Sequence, residues 1–222
     1  MSRQAVASEA LGSFLLFATV IGSGIMAERL SSGNVAVALL GNTLATGAML
    51  FVVITIFGPV SGAHFNPAVT LIMRLRGRVA SGTAAAYVVA QMTGGIAGVW
   101  AAHLMFAVPV LQLSAKVRSS PGQWLSEGIA TFGLLLTVLG TLKARPQWMP
   151  ASVALYITAA YWFTSSTSFA NPAITAARSL SDSFAGIAPA CAPAFIAAQF
   201  VGALVAHFLG ETVFADIPKE LT

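Results

Sequence analysis

A tripeptide that occurs twice inside very apolar sequence is the feature that most constrains the fold of this chain. The two copies are Asn66-Pro67-Ala68 and Asn171-Pro172-Ala173. Asparagine is a favourable helix N-cap and proline is best tolerated at the first helical position, so each copy predicts the start of a helix. The apolar stretches that follow, 69–73 and 174–177, are too short to cross a bilayer. The chain therefore contains two predicted half-helices.

The composition is that of a polytopic membrane protein. Of the 222 residues 57% are hydrophobic and 8% are charged, whereas about a quarter are charged in a soluble domain. Six apolar segments are predicted to span the membrane: 5–27, 35–57, 84–108, 125–142, 150–166 and 190–214. Together with the half-helices they account for nearly the whole chain. We therefore expect an all-α membrane protein with no separate soluble domain and no cleaved signal peptide.

The two halves of the sequence resemble each other. At one constant offset, Glu9, Phe14, Leu16, Thr19 and Val20 recur as Glu127, Phe132, Leu134, Thr137 and Val138, and at a slightly smaller one Gln91 and Gly94 recur as Gln199 and Gly202. Each half carries three spans, an odd number, so the second half enters the membrane from the opposite side. We predict a single channel domain built as an inverted repeat of about 1–115 and 116–222, which brings the two asparagines together near the bilayer midplane.

The basic residues predict the orientation. A cytoplasmic N-terminus places seven of them on that side: Arg3, Arg74, Arg76, Arg78, Lys143, Arg145 and Lys219. The far side then carries Arg29, Lys116 and Arg118, and this excess of cytoplasmic Lys and Arg is typical of membrane proteins. We expect a multi-pass protein of the cell inner (plasma) membrane with both termini cytoplasmic. Because the basic residues fall at span ends, the net charge of +4 indicates no nucleic-acid partner.

The polar loops at 61–65 and 164–170 predict a pore. Non-helical backbone survives at membrane depth only where protein covers it or water lines it, so its carbonyls can offer acceptors to a lumen and the two asparagines can donate there. Two helix N-termini at the same place disfavour cations, which suits a neutral, hydrogen-bonding solute. No nucleophile with its base and no metal-ligand cluster is recognisable, and Cys191 is the single cysteine. We expect no enzyme, no metal and no cofactor.

These motifs resemble the aquaporin (major intrinsic protein) family across essentially the whole chain. The resemblance is carried by the paired Asn-Pro-Ala loops, the Ser61-Gly62-Ala63-His64-Phe65 segment before the first, the Glu that opens each half, and the pair Gln91 and Gln199. It implies passive channels for water, glycerol and other small neutral solutes. It also implies a homotetramer in the lipid bilayer with one pore per subunit.

The chain departs from the family at the pore filter. Most members carry an arginine three positions after the second Asn, where this chain has Ile174. The resemblance carries the other filter positions to Thr46, Ala159 and Ser168, which together predict a wide, partly apolar mouth. The stretches 164–170 and 177–182 are similar to bacterial aquaglyceroporin-like channels associated with arsenic resistance. That similarity implies arsenite, as neutral As(OH)3, and methylated arsenicals among the solutes.

Four further residues are predicted to support the pore loops. Glu9 and Glu127 are interpreted as acceptors for loop backbone rather than as proton relays, although intramembrane carboxylates are functional by default. His64 is expected either to line the inner pore or to hold loop backbone. Arg178 is expected to brace its loop, with replacement of the missing arginine as the alternative.

Three alternative functions remain. An ordinary glycerol and water facilitator needs the same loops. An ion-coupled secondary transporter can also contain inverted repeats and broken helices, but it usually places ionisable groups near the midplane. A structural or adhesive membrane protein has no need of paired Asn-Pro-Ala loops.

Overall fold

The computed structural model describes residues 2–215, and this part of the chain is helical with no strand. The helices are α1 (Arg3–Leu30), α2 (Val35–Ser61), α3 (Pro67–Leu75), α4 (Ser81–Met105), α5 (Pro121–Ala144), α6 (Met149–Phe163), α7 (Pro172–Arg178) and α8 (Ala192–Val213). Short 3₁₀ turns at Pro146–Trp148 and Pro189–Cys191 lead into α6 and α8. Lys219, which the predicted orientation uses, lies outside the described residues.

Local sequence signals account for several helix starts. Asn34 caps α2, since its side chain accepts from the backbone N–H groups of Ala36 and Val37. Ser120 and Gln123 form a capping box ahead of α5, with proline at the first helical position. The two half-helices α3 and α7 begin at the prolines of the repeated tripeptide, as the motif predicts.

The helix lengths agree with a six-span membrane protein. Within residues 2–215, five helical segments are long and apolar enough to cross a membrane: Arg3–Leu30, Val35–Ser61, Ser81–Met105, Pro121–Ala144 and Pro189–Val213. The helix α6 has 15 residues, about 22 Å of rise. The preceding 3₁₀ turn adds about 6 Å and brings this span close to the roughly 30 Å of hydrocarbon. The expected architecture of six spans and two half-helices is confirmed.

Small residues bring the helices of each half close together. A Cβ at Gly94 would collide with the backbone of Ala10, where α4 crosses α1. A Cβ at its counterpart Gly202 would collide with the backbone of Gly128, where α8 crosses α5. Close approach at small residues is the usual way in which membrane helices pack. The two halves therefore pack alike, and α3 and α7 sit between them.

Candidate functional site: a pore between the two half-helices

The half-helices are capped by the asparagines of the repeated motif. The side chain of Asn66 accepts from the backbone N–H of Ala68 at 2.9 Å. Asn171 accepts from Ala173 at 3.0 Å and from Ile174 at 3.3 Å. Each half-helix therefore starts at its asparagine with exposed N–H groups satisfied by the cap.

The same two asparagines join the loops to each other. Asn66 Nδ2 donates to the carbonyl of Ala170 at 2.8 Å, and Asn171 Nδ2 donates to the carbonyl of Phe65, also at 2.8 Å. A primary amide carries two N–H bonds, so each asparagine retains one for another acceptor. Both side chains line the central cavity. The structure thus brings both copies of the motif to one place.

Glu9 holds the first loop in position. Its Oε1 accepts from Ser61 Oγ at 2.7 Å and from the backbone N–H of His64 at 2.9 Å. Its Oε2 accepts from the backbone N–H of Phe65 at 2.7 Å and from Gln91 Nε2 at 2.8 Å. The carboxylate is fully buried and engaged by four donors. These bonds join α1 to the first loop and to Gln91 of α4.

Glu127 does the same for the second loop. Its Oε1 accepts from Ser166 Oγ at 2.6 Å and from the backbone N–H of Phe169 at 2.8 Å. Its Oε2 accepts from the backbone N–H of Ala170 at 2.9 Å and from Gln199 Nε2 at 2.6 Å. This carboxylate is also fully buried. Because its lone pairs are already engaged, it is poorly suited to relay protons.

Both loops adopt backbone conformations that need such support. Left-handed φ values occur at Ala63 (50°) and Phe65 (48°) in the first loop and at Ser168 (49°) and Ala170 (47°) in the second. A non-glycine residue in this region costs about 1–2 kcal/mol. The carboxylates accept from N–H groups in both loops. These bonds therefore offset the strain and keep the loops in one conformation.

One cavity of about 390 Å³ runs past both loops and extends to either side of the two asparagines. At one end it is lined by residues such as Arg78 and Met149, and at the other by Tyr161 and Arg178. Its wall is mostly apolar, but five lining residues have carbonyls that accept no hydrogen bond within residues 2–215: Gly62, Ala63, His64, Ser168 and Phe169. The cavity therefore carries free acceptors on both sides of the asparagines.

Three of the four predicted filter residues line this cavity. Thr46, Ser168 and Ile174 are buried and face it. Ser168 Oγ has no hydrogen-bond partner within the described residues, which leaves it available to a solute. An isoleucine therefore lies at the position where the resemblance expects an arginine.

The fourth predicted filter residue, Ala159, lies elsewhere. It is exposed on the outer face of α6, whereas Ile157 and Tyr161 line the cavity. Two residues along an α-helix turn the side chain by about 200°, so Ala159 points away from the pore. The position counted back from Asn171 is therefore displaced by two residues from Tyr161, which lines the cavity.

Tyr161 takes the place expected for Ala159. Its hydroxyl donates to Thr46 Oγ1 at 3.3 Å, which joins α6 to α2 at the mouth. It is an aromatic residue with a polar tip, so the mouth is narrower and more polar on this side than Ala159 predicts. An apolar periodicity of 153, 157 and 161 along α6 is the signal that could have identified it.

His64 and Arg178 both line the cavity and both hold local structure. His64 Nδ1 lies 3.1 Å from Thr70 Oγ1. Arg178 is 2% exposed, its Nε donates to the carbonyl of Ala185, and its guanidinium carbon lies 3.4 Å from the centroid of the Phe169 ring. Both side chains therefore lie at the cavity wall and contact groups beside their own loop.

The loop between α4 and α5, residues 106–120 and here called the outer loop, contains two cations that the motifs did not single out. Arg118 donates from Nε to the carbonyl of Gly186 at 2.9 Å and from Nη1 to that of Ser166 at 3.2 Å. Burial lowers its pKa, while the charge of Glu127 opposes that shift. Lys116 Nζ donates to the carbonyl of Phe184 at 2.8 Å, and burial lowers its pKa too. These bonds join the outer loop to the second pore loop and to residues 184–186, which follow the second half-helix.

The comparisons with known proteins agree with this architecture. The model of the major intrinsic protein family matches residues 1–168. Aquaglyceroporin AqpS of Rhizobium meliloti (strain 1021) is 55% identical over 206 residues, which cover 93% of this chain and 88% of the relative. Aquaporin Z of Bradyrhizobium diazoefficiens is 28% identical over 100% of this chain and 96% of its own length.

A solved structure shows the same fold. The X-ray structure of the aquaglyceroporin from Plasmodium falciparum matches with a TM-score of 0.77 over 99% of both chains, at 19% sequence identity. The family match and the AqpS relationship extend over most of the sequence. This chain is therefore a member of the major intrinsic protein family, whose members are membrane channels and not enzymes.

Proposed function

We propose that this protein is a passive channel for water, glycerol-like polyols and other small neutral solutes. The observation that carries the proposal is the cavity that passes both half-helix starts and is lined by Asn66 and Asn171. Each asparagine retains an N–H donor, and the loop carbonyls provide acceptors along the path. A solute with hydroxyl groups can replace its lost water contacts with these groups.

The same geometry disfavours ions. The N-termini of α3 and α7 meet at the asparagines, and the positive end of each helix dipole lies there. The lining is mostly apolar and contains no carboxylate among the described residues. Glu9 and Glu127 lie outside the cavity wall and are saturated by loop donors, which argues against ion-coupled transport.

We further propose that the mouth admits solutes larger than water, including arsenite as As(OH)3 and methylated arsenicals. Ile174 offers an alkyl surface in place of a guanidinium, and Thr46, Tyr161 and the unpartnered hydroxyl of Ser168 offer hydrogen bonds. A solute that carries both hydroxyl and methyl groups matches such a mixed wall. The name of the relative AqpS, an aquaglyceroporin, supports passage of polyols.

A flux panel in proteoliposomes tests the function. Stopped-flow light scattering measures water and glycerol, and arsenic content of the vesicles measures arsenite and a methylated arsenical. We expect all four fluxes to exceed those of protein-free liposomes, to stay linear with concentration, and to be independent of sodium and proton gradients. Passage of water and glycerol alone would favour an ordinary facilitator. Dependence on a gradient, or saturation at low concentration, would overturn the channel.

We also propose a homotetramer in the cell inner membrane with both termini cytoplasmic. The contacts group Arg74, Arg76 and Lys143 at one end of the bundle, near the N-terminus of α4 and the C-terminus of α8. Arg29 and Lys116 lie at the other end. Reporter fusions at each terminus and the mass of the detergent-solubilised protein test the two parts separately.

A further inference from the structure

Arg178 is a buried cation in the wall of the outer mouth. It lies four residues after Ile174 on α7, and both side chains line the same cavity. Four residues correspond to about 6 Å of rise and about 40° of rotation. Arg178 thus stands on the pore side of the half-helix, one turn farther from the midplane. Its bond to Ala185 uses one of the five guanidinium hydrogens.

A second guanidinium lies close to the first, over the same aromatic ring. Phe169 lies 3.4 Å from the guanidinium carbon of Arg178 and 5.1 Å from that of Arg118, measured to the ring centroid. A cation over an aromatic face is stabilised without losing its charge. The hydrogen bonds of Arg118 go to neutral carbonyls of Gly186 and Ser166. Both cations are therefore fixed in position by neutral groups.

The guanidinium of Arg178 is the charged group that lines the cavity at this end. Within residues 2–215 no carboxylate forms an ion pair with Arg118 or Arg178 at 4.0 Å or less. Glu127 acts on both guanidinium groups, but its oxygens are engaged by four donors, three from the second loop and one from Gln199. Lys116 lies near both arginines, and the carboxylates of Glu28 and Asp182 accept from the backbone N–H groups of Phe184 and Ala115. Because the described lining contains no carboxylate, the charge that faces the lumen here is the positive charge of Arg178.

The matched position in the other half shows that the half-helix does not itself need an arginine. Arg178 follows Asn171 by the same number of residues as Met73 follows Asn66. Met73 is also buried and lines the cavity at the opposite end. The guanidinium is therefore present at one end of the cavity only and is not part of what the two halves share.

We propose that Arg178, with Arg118 behind it, supplies the fixed positive charge that Ile174 does not, and thereby excludes hydronium and other small cations from the mouth. The charge stands one helical turn outside the constriction, so it repels cations without narrowing the passage for hydroxylated neutral solutes. This inference rests on the proposed channel function. In this inference Ile174 determines how large a solute can pass, and Arg178 determines which charges are excluded.

The test compares proton and glycerol fluxes in the same proteoliposomes. An entrapped pH-sensitive dye reports proton entry under an imposed potential, and stopped-flow scattering reports glycerol. The variants are Arg178→Met, which introduces the residue of the matched position, Arg178→Lys and Arg118→Met. Arg74→Met is the matched control, since it removes an exposed arginine from the last turn of α3, outside the cavity.

We expect Arg178→Met to raise the proton-to-glycerol permeability ratio about tenfold, the effect of one unit charge at roughly 10 Å with an effective dielectric constant of about 20. Arg118→Met, one layer farther away, raises it less. Arg178→Lys keeps the charge but not the geometry of the Nε bond, and it stays near wild type. Arg74→Met leaves the ratio unchanged.

Two results overturn the inference. Equal leakage in Arg178→Lys and Arg178→Met means that Arg178 only braces its loop, and no leakage in either means that the helix ends exclude cations alone. Should Arg178→Met fail to fold, Arg118→Met and Arg178→Lys decide, because the inference requires the first to leak more than the second. Absence of glycerol flux in the wild type would instead refute the proposed function, whatever the proton ratios are.

Discussion

The loop that leads into α3 and the loop that leads into α7 share one frame of hydrogen bonds and differ in the side chains that face the cavity. In each, a buried glutamate accepts from a serine hydroxyl, two backbone N–H groups and a glutamine amide. That glutamine also donates to a threonine on the half-helix, Thr70 in one half at 3.0 Å and Thr175 in the other at 2.8 Å. Both halves need this frame, because irregular backbone inside a membrane must have its N–H groups hydrogen-bonded by the protein.

The differences lie along the lining. The matched pairs in which both members line the cavity and differ are, first half before second, Ala63 and Ser168, His64 and Phe169, Phe65 and Ala170, Val69 and Ile174, and Met73 and Arg178. The second loop and its half-helix thus have the free hydroxyl of Ser168 and the buried cation Arg178, and they line the end of the cavity beyond Ile174. The comparison teaches that the repeat builds the pore, whereas selection among solutes depends on where the halves differ.

The largest expected effect comes from breaking the shared frame. Glu127→Gln replaces one carboxylate oxygen with an amide NH₂ group and leaves two of the four donors around Glu127 without an acceptor. We expect a loss of about 2–6 kcal/mol, from about 1–3 kcal/mol per unsatisfied buried donor. Glu9→Gln should cost a similar amount, and the double variant should fail to fold or assemble.

The thermal transition of the detergent-solubilised protein and the yield of monodisperse material measure this effect. The exposed Glu28, at the end of α1, provides the control Glu28→Gln. Equal losses at Glu9 and Glu127 would support a symmetric frame. Normal yield of the double variant with altered proton coupling would show that the carboxylates relay protons.

The second effect concerns the constriction itself. Ile174→Arg places a guanidinium in the filter, and we expect glycerol and arsenite fluxes to fall about tenfold while water falls less, since a narrower, charged filter rejects the larger solutes first. Ile174→Val is the conservative control and should retain the wild-type order of solutes. If water and glycerol fluxes both remained at wild-type levels, Ile174 would not lie in the constriction.

Much of the frame could be predicted from the sequence, because it depends on local signals and on the repeat. Asparagine followed by proline predicts a helix start, and the recurring Glu and Gln predict matched roles in each half. Ala159 was misplaced because a residue count back from Asn171 does not show which side chains of α6 turn toward the cavity. The helical spacing of 153, 157 and 161 identifies the side of α6 that faces the cavity, and it places Tyr161 on that side.

Arg118 was missed for a different reason. It lies in a loop whose contacts are distant in sequence, 48 residues from Ser166 and 68 from Gly186. The sequence shows only a basic residue near a span end, which membrane topology already explains. Long-range placement of such a side chain depends on how the outer loop folds over α7, and no local pattern encodes it.

The third prediction tests the corrected register of α6. Tyr161→Phe removes the hydroxyl that donates to Thr46, and we expect the glycerol flux relative to water to fall about threefold, since a net hydrogen bond is worth about 0.5–1.5 kcal/mol. Ala159→Leu adds bulk on the outer face of α6 and should leave both fluxes unchanged. A block of glycerol flux in Ala159→Leu would return Ala159 to the filter.

The smallest effect is expected when one strained residue is exchanged for its counterpart in the other loop. Gly62 has φ of 86° and its counterpart Thr167 has φ of 64°. Because a left-handed threonine costs about 1–2 kcal/mol, and a glycine loses about 0.5–1 kcal/mol more to chain entropy, Thr167→Gly should stabilise the protein by up to about 1 kcal/mol. The reverse exchange, Gly62→Thr, should destabilise it, and its Cβ would also lie 3.3 Å from His64 Nε2.

Thr167 does not line the cavity, so Thr167→Gly should raise the thermal transition by a few degrees at most and leave the order of solute fluxes as in the wild type. A fall in the transition would mean that the threonine side chain stabilises the second loop by more than its backbone strain costs. In that case the two loops would differ in their frame as well as in their lining, and the separation between a shared frame and a divergent filter would fail at this residue.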